Sequence, residues 1–290
     1  MEAESAAKSA RTGGGRSVLI TGCSSGIGAA AAAALRERGW RVFASCRAEE
    51  DCARLLEDGF ESPRLDYKDE ASVAEGFSEV LEATGGRLDA LFNNGAYAIP
   101  GAVEDLPTDA LRDIFEANLF GWHTLTRLAL PVMRAQGSGR IVQCSSVLGM
   151  AALKFRGSYI ATKFALEGLT DTLRLEVAGS GVEVILIEPG PIGTAFHLNA
   201  HRQMQRWISA PGSPHRADYQ RVTARLTRAD GETNRFELPP EAVVAKLIRA
   251  LESPRPAPRY FVTTPTYVLA YARRALSTRA LDRLLARISD

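Results

Sequence analysis

Short apolar segments alternate with longer helix-forming segments along most of this 290-residue chain. The apolar segments predict strands near residues 18–20, 41–46, 62–65, 88–93, 140–145, 183–188 and 260–263. Helix-forming patterns occupy residues 29–38, 49–57, 71–83, 108–136, 159–178 and 240–251. Strands and helices that alternate in this way are joined by right-handed crossovers into a parallel sheet that is covered on both faces. The sequence therefore predicts an α/β fold with a doubly wound parallel sheet, the Rossmann fold, whose ligands bind at the carboxyl ends of the strands.

One domain, residues 17–265, accounts for this alternation. Residues 1–16 are rich in Ala, Ser, Gly and charge and lack the apolar segment of a secretory signal, so we expect a disordered leader. Residues 195–238 interrupt the pattern and predict an insertion that covers the site. Residues 266–290 predict a basic amphipathic helical tail. Such a tail packs on its own domain or on a second subunit, or lies on a membrane surface, and its short length favours packing.

Charge and cysteine content narrow the function classes. Lys and Arg number 35 against 34 Asp and Glu, and the net charge of +1 favours a small-molecule substrate over nucleic acid. The four cysteines are Cys23, Cys46, Cys52 and Cys144, with no C-x-x-C pair and no Cys/His cluster. We therefore expect a reducing compartment, no disulfide and no metal. No apolar segment is long enough to span a membrane, so we expect the chain to be cytoplasmic.

A glycine-rich turn follows the first predicted strand and precedes the first helix. Glycines let the backbone approach a pyrophosphate closely, and the helix N-terminus supplies donors and partial positive charge. The alternative is a tight turn that only packs the helix on the strand. The predicted cofactor-binding residues here are Thr21, Gly22, Ser24, Ser25, Gly26, Ile27 and Gly28.

Tyr159 and Lys163 stand four residues apart in a predicted helix, and Ser146 precedes the tyrosine by thirteen residues. Residues at i and i+4 share one helix face, so the ammonium of Lys163 is expected to favour the ionised phenol. A phenol of reference pKa about 10 then becomes able to exchange a proton with an alcohol or carbonyl oxygen near neutrality.

These motifs, with the Asn93-Asn94 pair and Asn118-Leu119-Phe120-Gly121, make residues 17–264 resemble the short-chain dehydrogenase/reductase family. The resemblance implies that Tyr159 is the general acid/base and that Ser146 hydrogen-bonds the substrate carbonyl. It also implies that Lys163 binds the nicotinamide ribose and lowers the tyrosine pKa. Asn118 is expected to complete a proton relay through a water. Taken singly, each residue has an ordinary alternative: a surface tyrosine on a helix, a turn-forming serine, or a buried hydrogen-bonding asparagine. Their joint spacing outweighs these alternatives. Ser145 is the alternative for the serine role, but in the family the serine precedes the tyrosine by thirteen residues, which selects Ser146.

The family resemblance assigns further residues to the cofactor. Asn93 begins Asn93-Asn94-Gly95-Ala96, which exchanges the last two residues of the family's usual order; both are small, so close cofactor approach is expected to survive. The resemblance also implies that Pro189, Gly190, Ile192 and Thr194, after the sixth predicted strand, bind the cofactor. The Ile192 backbone and Thr194 are expected to hold the carboxamide side of the nicotinamide.

The end of the second predicted strand indicates NADP(H). Enzymes of this fold that use NAD place an acid there for the ribose 2′-hydroxyl, whereas an arginine accommodates a 2′-phosphate. This strand ends in Cys46 and is followed by Arg47, although an arginine here is also compatible with ordinary solvent exposure. Asp66 resembles the aspartate that contacts the adenine, and its alternative is a helix N-cap.

Within the family the chain resembles NADP-dependent aldehyde reductases and hydroxysteroid or retinol dehydrogenases, which implies an aldehyde or lipophilic ketone substrate. The candidate apolar pocket consists of Ala98, Ile99, Leu153, Phe155, Phe196 and Trp207. The family also implies a homodimer formed through the helices that begin near Thr108 and Tyr159. Two other functions stay open: an epimerase or dehydratase of a related family, and a dinucleotide sensor without turnover.

Overall fold

A computed structural model describes residues 15–227 and 236–289 and contains one parallel sheet. Its strands are β1 Ser17–Thr21, β2 Arg41–Ser45, β3 Ala90–Asn93, β4 Gly139–Cys144, β5 Val182–Glu188 and β6 Arg259–Phe261. The spatial order is β2-β1-β3-β4-β5-β6, and every neighbouring pair is parallel. The order reverses beside β1, which leaves a crevice at the carboxyl ends of β1 and β3. The predicted doubly wound sheet is confirmed.

Helices cover both faces of this sheet. They are α1 Gly26–Glu37, α2 Glu49–Glu57, α3 Glu70–Ala83, α4 Thr108–Phe115, α5 Gly121–Gln136, α6 Gly157–Glu176, α7 Phe196–Trp207, α8 Arg216–Leu226, α9 Glu241–Glu252, α10 Thr264–Ala275 and α11 Thr278–Ser289. Strand β1 shows how the two layers form, because its side chains alternate between faces. Val18 and Ile20 pack with α1 and α9, whereas Leu19 packs with α3 and α5. All three are fully buried, which stabilises the fold by about 1.5–3 kcal/mol for each side chain.

The strand predicted at residues 62–65 is absent from the described sheet. Two isolated parallel bridges stand in its place, from Phe43 to Glu61 and from Cys46 to Arg64. Pro63 lies between the bridged residues and has no N–H to donate, so a continuous ladder cannot form there.

The helix predicted over residues 108–136 is divided. A π-helical turn, Glu116–Phe120, separates α4 from α5. Such wide turns inside helices are frequent at functional sites, and this one contains Asn118. A hydrophobic pattern does not reveal one extra residue in a turn, so the sequence predicted a continuous helix.

The insertion and the tail are both helical. Helices α7 and α8 lie in the predicted insertion, of which residues 228–235 lie outside the described chain. The predicted tail is two helices, α10 and α11. Leu285 of α11 is buried against Val147 and Ala151, with Leu281 and Leu284 packed beside it, so the tail packs on its own domain. Residues 1–14 of the predicted leader also lie outside the described residues.

Two general findings concern the described chain. No helix in residues 15–227 and 236–289 is long and apolar enough to cross a membrane. The four cysteines are buried and free, and no group of three or more His, Cys, Asp or Glu in these ranges is placed to hold a metal ion.

Candidate active site

Three predicted catalytic residues come together where β4 meets α6. Ser146 follows β4, and Tyr159 and Lys163 lie in the first two turns of α6. They are 9%, 9% and 1% exposed, respectively. Ser146 faces the phenol of Tyr159 and lowers its pKa, so the two hydroxyls are adjacent. The i,i+4 spacing on α6 puts both of its residues on the face that meets the strand end.

Burial is the largest influence on the pKa of the Tyr159 phenol. Desolvation, with a smaller contribution from Cys144, raises the pKa of Tyr159 well above its ordinary value, and Ser146 opposes this only in part. The expectation that Lys163 lowers this pKa stays a prediction. The phenol is therefore neutral at neutral pH and keeps a proton that it can donate.

The ammonium of Lys163 is held by the Cys144 carbonyl and the Trp122 ring. Its Nζ donates to the Cys144 carbonyl at 2.8 Å and lies 4.2 Å from the ring centroid of Trp122. The centroid of the Tyr159 ring is 5.5 Å away. Burial lowers the pKa of Lys163 to about 8, although Cys144 and Glu167 oppose the shift. The ammonium is therefore mostly protonated at neutral pH and is fixed beside the phenol.

Asn118 is fully buried in the π-helical turn and binds the loop after β3. Its Nδ2 donates to the Tyr97 carbonyl at 2.8 Å, and its Oδ1 accepts from the Tyr97 N–H at 3.1 Å. Both ends of the side-chain amide thus hold the backbone of one residue, Tyr97. The proton relay assigned to Asn118 stays a prediction.

The competing serine, Ser145, belongs to a different environment. Its hydroxyl lies beside the carboxyl of Glu167 and lowers the pKa of that group. A Cβ added at Gly149 would contact both Ser145 Oγ and Glu167 Oε1, at 2.8 Å and 3.0 Å. Ser145 therefore faces a buried acidic cluster, and Ser146 is the serine that meets Tyr159.

The glycine-rich turn is a close-packed cradle. Gly22 has φ +70°, and a Cβ there would lie 2.6 Å from Gly95 Cα. A Cβ at Gly28 would lie 2.3 Å from the Gly22 carbonyl oxygen. Gly95 itself faces Gly22, so the exchanged order of Asn94-Gly95-Ala96 supplies the small residue at the contact. Gly22 is required by space as well as by backbone conformation, and Gly28 is required by space.

The start of α1 offers free donors. Ser25 is its N-cap residue but makes no side-chain cap hydrogen bond, and the first turn contains no acid. The early N–H groups of α1 thus keep their capacity for an anion, as a pyrophosphate needs. Ser24, Gly26 and Ile27 belong to the same turn, and Thr21 Oγ1 accepts from the Asn94 N–H at 2.9 Å.

The segment after β5 reaches this turn from the other side. A Cβ at Gly26 would lie 3.1 Å from Thr194 Cγ2, so Thr194 borders the glycine turn. The Pro189 carbonyl accepts from the Val147 N–H at 2.7 Å, which ties this segment to the residue after Ser146. Gly190 packs against Thr263, and Ile192 forms a bridge with Leu238. The segment after β5 therefore lies between the glycine turn and the residue after Ser146.

Arg47 is exposed at the end of β2, directly after buried Cys46. Within the described residues no hydrogen bond or ion pair engages its guanidinium. Asp66 lies in the turn after the bridged segment, where its Oδ1 accepts from the Lys68 N–H at 3.1 Å. The N-cap of α3 is Asp69, so the helix-cap alternative for Asp66 is wrong.

An apolar wall adjoins Tyr159 on the side of the insertion. Ala98 and Ile99 are buried in one cluster with Tyr159, and Phe155 and Trp207 pack against that cluster. The Phe196 ring meets the Tyr159 ring edge-on, with centroids 5.6 Å apart. Leu153 was also predicted for this pocket, but it packs instead in the cluster of the tail helix.

Two aromatic residues support the site and were missed in the sequence. The indole N–H of Trp122 donates to the Gly95 carbonyl at 2.9 Å while its ring covers the Lys163 ammonium. The hydroxyl of Tyr67 lies 2.5 Å from Thr21 Oγ1 and 2.8 Å from Asn93 Oδ1. Trp122 directly follows Gly121 and Tyr67 directly follows Asp66, and this proximity to predicted motifs was the only sign in the sequence that they belong to the site. It did not predict their contacts, because the orientation of a ring depends on packing.

Comparisons with known proteins agree with this geometry. The sequence model described as short chain dehydrogenase matches residues 16–205. The protein is a member of the short-chain dehydrogenase family. Oxidoreductase YbbO of Escherichia coli is 39% identical over 271 residues, which cover 93% of this chain and 94% of that protein.

Two further short-chain dehydrogenases differ in cofactor. The NADPH-dependent 3-dehydrocapnine reductase of Ornithobacterium rhinotracheale is 32% identical over 93% of this chain and 95% of its own length. A short-chain dehydrogenase/reductase from Burkholderia phymatum, solved in complex with NAD, is 25% identical with a TM-score of 0.76, covering 96% of this chain and 97% of that one. Membership of the family therefore establishes an oxidoreductase of the nicotinamide type and leaves the choice of cofactor to local residues.

Proposed function

We propose that this protein is an NADP(H)-dependent reductase that converts an aldehyde or lipophilic ketone to an alcohol. The observation that carries the proposal is the pair of hydroxyls, Ser146 and Tyr159, at the carboxyl end of β4. The phenol is neutral, nearly buried and adjacent to the serine. Two donors in a water-poor site suit a carbonyl oxygen on which negative charge grows.

The chain's own residues supply positioning and a proton. The nicotinamide, when bound, supplies the hydride. Ser146 is proposed to hold the carbonyl oxygen, and the Tyr159 hydroxyl to give it a proton as the alcohol forms. The ammonium of Lys163, fixed by Cys144 and Trp122, lies close enough to stabilise the phenolate left behind. The apolar wall excludes water from the reacting oxygen.

The crevice fits a dinucleotide. The uncapped start of α1 suits a pyrophosphate, and Gly22, Gly28 and Gly95 let the glycine turn pack closely on α1 and on the loop after β3. Arg47 is exposed and is not engaged by any carboxylate of the described chain, which favours a 2′-phosphate over a free 2′-hydroxyl. Exposed Phe120 and Leu169, at 48% and 41%, lie on the two helical segments proposed to form a homodimer.

The proposed function is tested by following NADPH and NADH oxidation with medium-chain aldehydes, retinal and steroid ketones. We expect turnover with NADPH and a preference for apolar carbonyl compounds. Binding of NADPH without oxidation of any substrate would favour a dinucleotide sensor. Cofactor turnover without net oxidation would favour an epimerase or dehydratase.

Replacing Arg47 by Ala is expected to raise the Kd of NADPH by about 10-fold to 100-fold, because one charge-assisted contact to the 2′-phosphate is lost. The Kd of NADH should change by less than about 3-fold, and fluorescence titration measures both. Arg36→Ala is the matched control: that side chain donates to the Asp58 carbonyl on the outer side of α1. Equal losses for both cofactors in the Arg47 variant would contradict the NADP(H) assignment.

A further inference from the structure

A cavity of about 90 Å³ lies between the loop before α6, helix α8 and the end of α11. Four of its lining residues are cationic and one, Asp218, is acidic. The cationic residues are Lys154, Arg156, Arg221 and Arg225. The volume is sufficient for several water-sized groups, and so for a carboxylate, phosphate or sulfonate group.

Arg156 is the residue that needs a ligand. Among the residues that the structure describes, its buried Nη1 has no hydrogen-bond partner, and burial together with the charge of Arg225 lowers the pKa of Arg156. The acidic residue of the lining, Asp218, pairs with Arg221 and also lies 3.5 Å from His215, so its charge is already balanced. A buried guanidinium nitrogen that lacks a hydrogen-bond partner is energetically unfavourable.

The backbone beside Arg156 is strained. Phe155 has φ +60°, a left-handed conformation that bulky side chains rarely adopt. Its carbonyl accepts from the Gly101 N–H at 3.0 Å, and a parallel bridge joins Gly101 to Arg156. Strain that is held in place by such pairing is typical of functional sites. Here it fixes the residue that carries the unpaired charge.

The cavity adjoins the proposed substrate site. Phe155 and Val222 line the cavity and also belong to the apolar cluster that contains Tyr159 and Ile99. Arg156 precedes Tyr159 by only three residues at the start of α6. The cavity and the proposed substrate site therefore share the wall formed by Phe155 and Val222.

We propose that the cavity binds an anionic group of the substrate, a carboxylate, phosphate or sulfonate, through the guanidinium of Arg156. The substrate is then an anionic amphiphile with a carbonyl group and an apolar spacer. This inference rests on the proposed carbonyl reduction, because it places the second end of the same substrate.

Anion binding is tested first without turnover. Thermal unfolding of wild type and Arg156→Met is followed with and without inorganic phosphate, in the presence of NADPH to keep phosphate out of the cofactor crevice. Phosphate should raise the Tm of wild type but not of the variant. Without phosphate, the variant should be at least as stable as wild type, because an unpaired buried charge is removed.

Two outcomes overturn the site. A variant less stable than wild type without phosphate would mean that Arg156 has a partner within the chain. An equal phosphate response in both proteins would indicate an adventitious ion only. Arg216→Met, an exposed arginine on α8 outside the cavity, is the matched control and should respond like wild type.

The substrate is tested with ω-carboxy aldehydes of increasing length, each compared with its methyl ester. In Arg156→Met, the ratio of kcat/KM for acid over ester should fall by about 10-fold to 100-fold at the length that spans the wall. Arg216→Met should leave the ratio unchanged, and an unchanged ratio in Arg156→Met would overturn the substrate role. If no aldehyde is reduced by wild type, the reductase proposal fails, and the phosphate experiment separately decides whether the cavity binds anions.

Discussion

Tyr159→Phe is expected to lower kcat for carbonyl reduction by about 10²-fold to 10⁴-fold, the usual contribution of a general acid. The substitution removes only the transferable proton, and the ring keeps its contact with Phe196. The Kd of NADPH should stay within about 3-fold of wild type, since the glycine turn and Arg47 are unchanged. Steady-state assays and fluorescence titration measure the two quantities.

Tyr271→Phe provides the matched control, because that phenol is 62% exposed on α10, away from the site. Its kcat should equal that of wild type. Because burial raises the pKa of Tyr159, the neutral phenol persists through neutral pH, and reduction by wild type should decline only in the alkaline range. Full activity in Tyr159→Phe would refute the proton-donor role.

Arg259→Met is expected to destabilise the protein by about 3 kcal/mol at neutral pH. Arg259 pairs with three carboxylates, at 2.5 Å from Glu167, 2.7 Å from Asp171 and in a short contact with Glu188, which is fully buried. Removing the shared cation leaves buried charges without a partner, which is far more costly than losing a surface ion pair. Urea unfolding monitored by circular dichroism gives the free energy of unfolding.

The loss should depend on pH. Burial and the neighbouring charge of Glu167 raise the pKa of Glu188 to about 8 from an unfolded value of 4.5. A carboxyl with a raised folded pKa holds its proton more tightly in the folded chain, so its contribution to stability is fully present below pH 4.5 and is lost as pH rises through 8. The Arg259 variant should therefore be closest to wild type under acidic conditions.

Arg174→Met is the control for this cluster. Arg174 pairs with Asp171, which is half-exposed, and its loss should cost less than about 1 kcal/mol. Equal destabilisation by the two variants, or a loss in Arg259→Met that does not change with pH, would show that the carboxylates are not held by Arg259.

The local sequence pattern was sufficient to predict much of this fold. The alternation of apolar and helix-forming segments predicted the parallel sheet, and helix α2 has the bounds that were predicted. The glycine turn and the Tyr159–Lys163 spacing predicted where the crevice would lie. The predictions that were wrong also have local causes. Pro63 interrupts the predicted third strand, and one extra residue in a turn makes the π-helical segment around Asn118.

The sequence by itself determined the order of the elements, the glycine contacts and the family, because these depend on side-chain period, backbone freedom and residues a few positions apart. Only the tertiary structure showed that burial is the largest influence on the pKa of Tyr159 and that it raises this pKa. It also joined Arg259 to Glu167 across 92 residues and left Arg156 Nη1 without a partner among the described residues. The pKa and energy of a charged group depend on how much water is removed and which charges pack around it, and distant segments of the chain supply both.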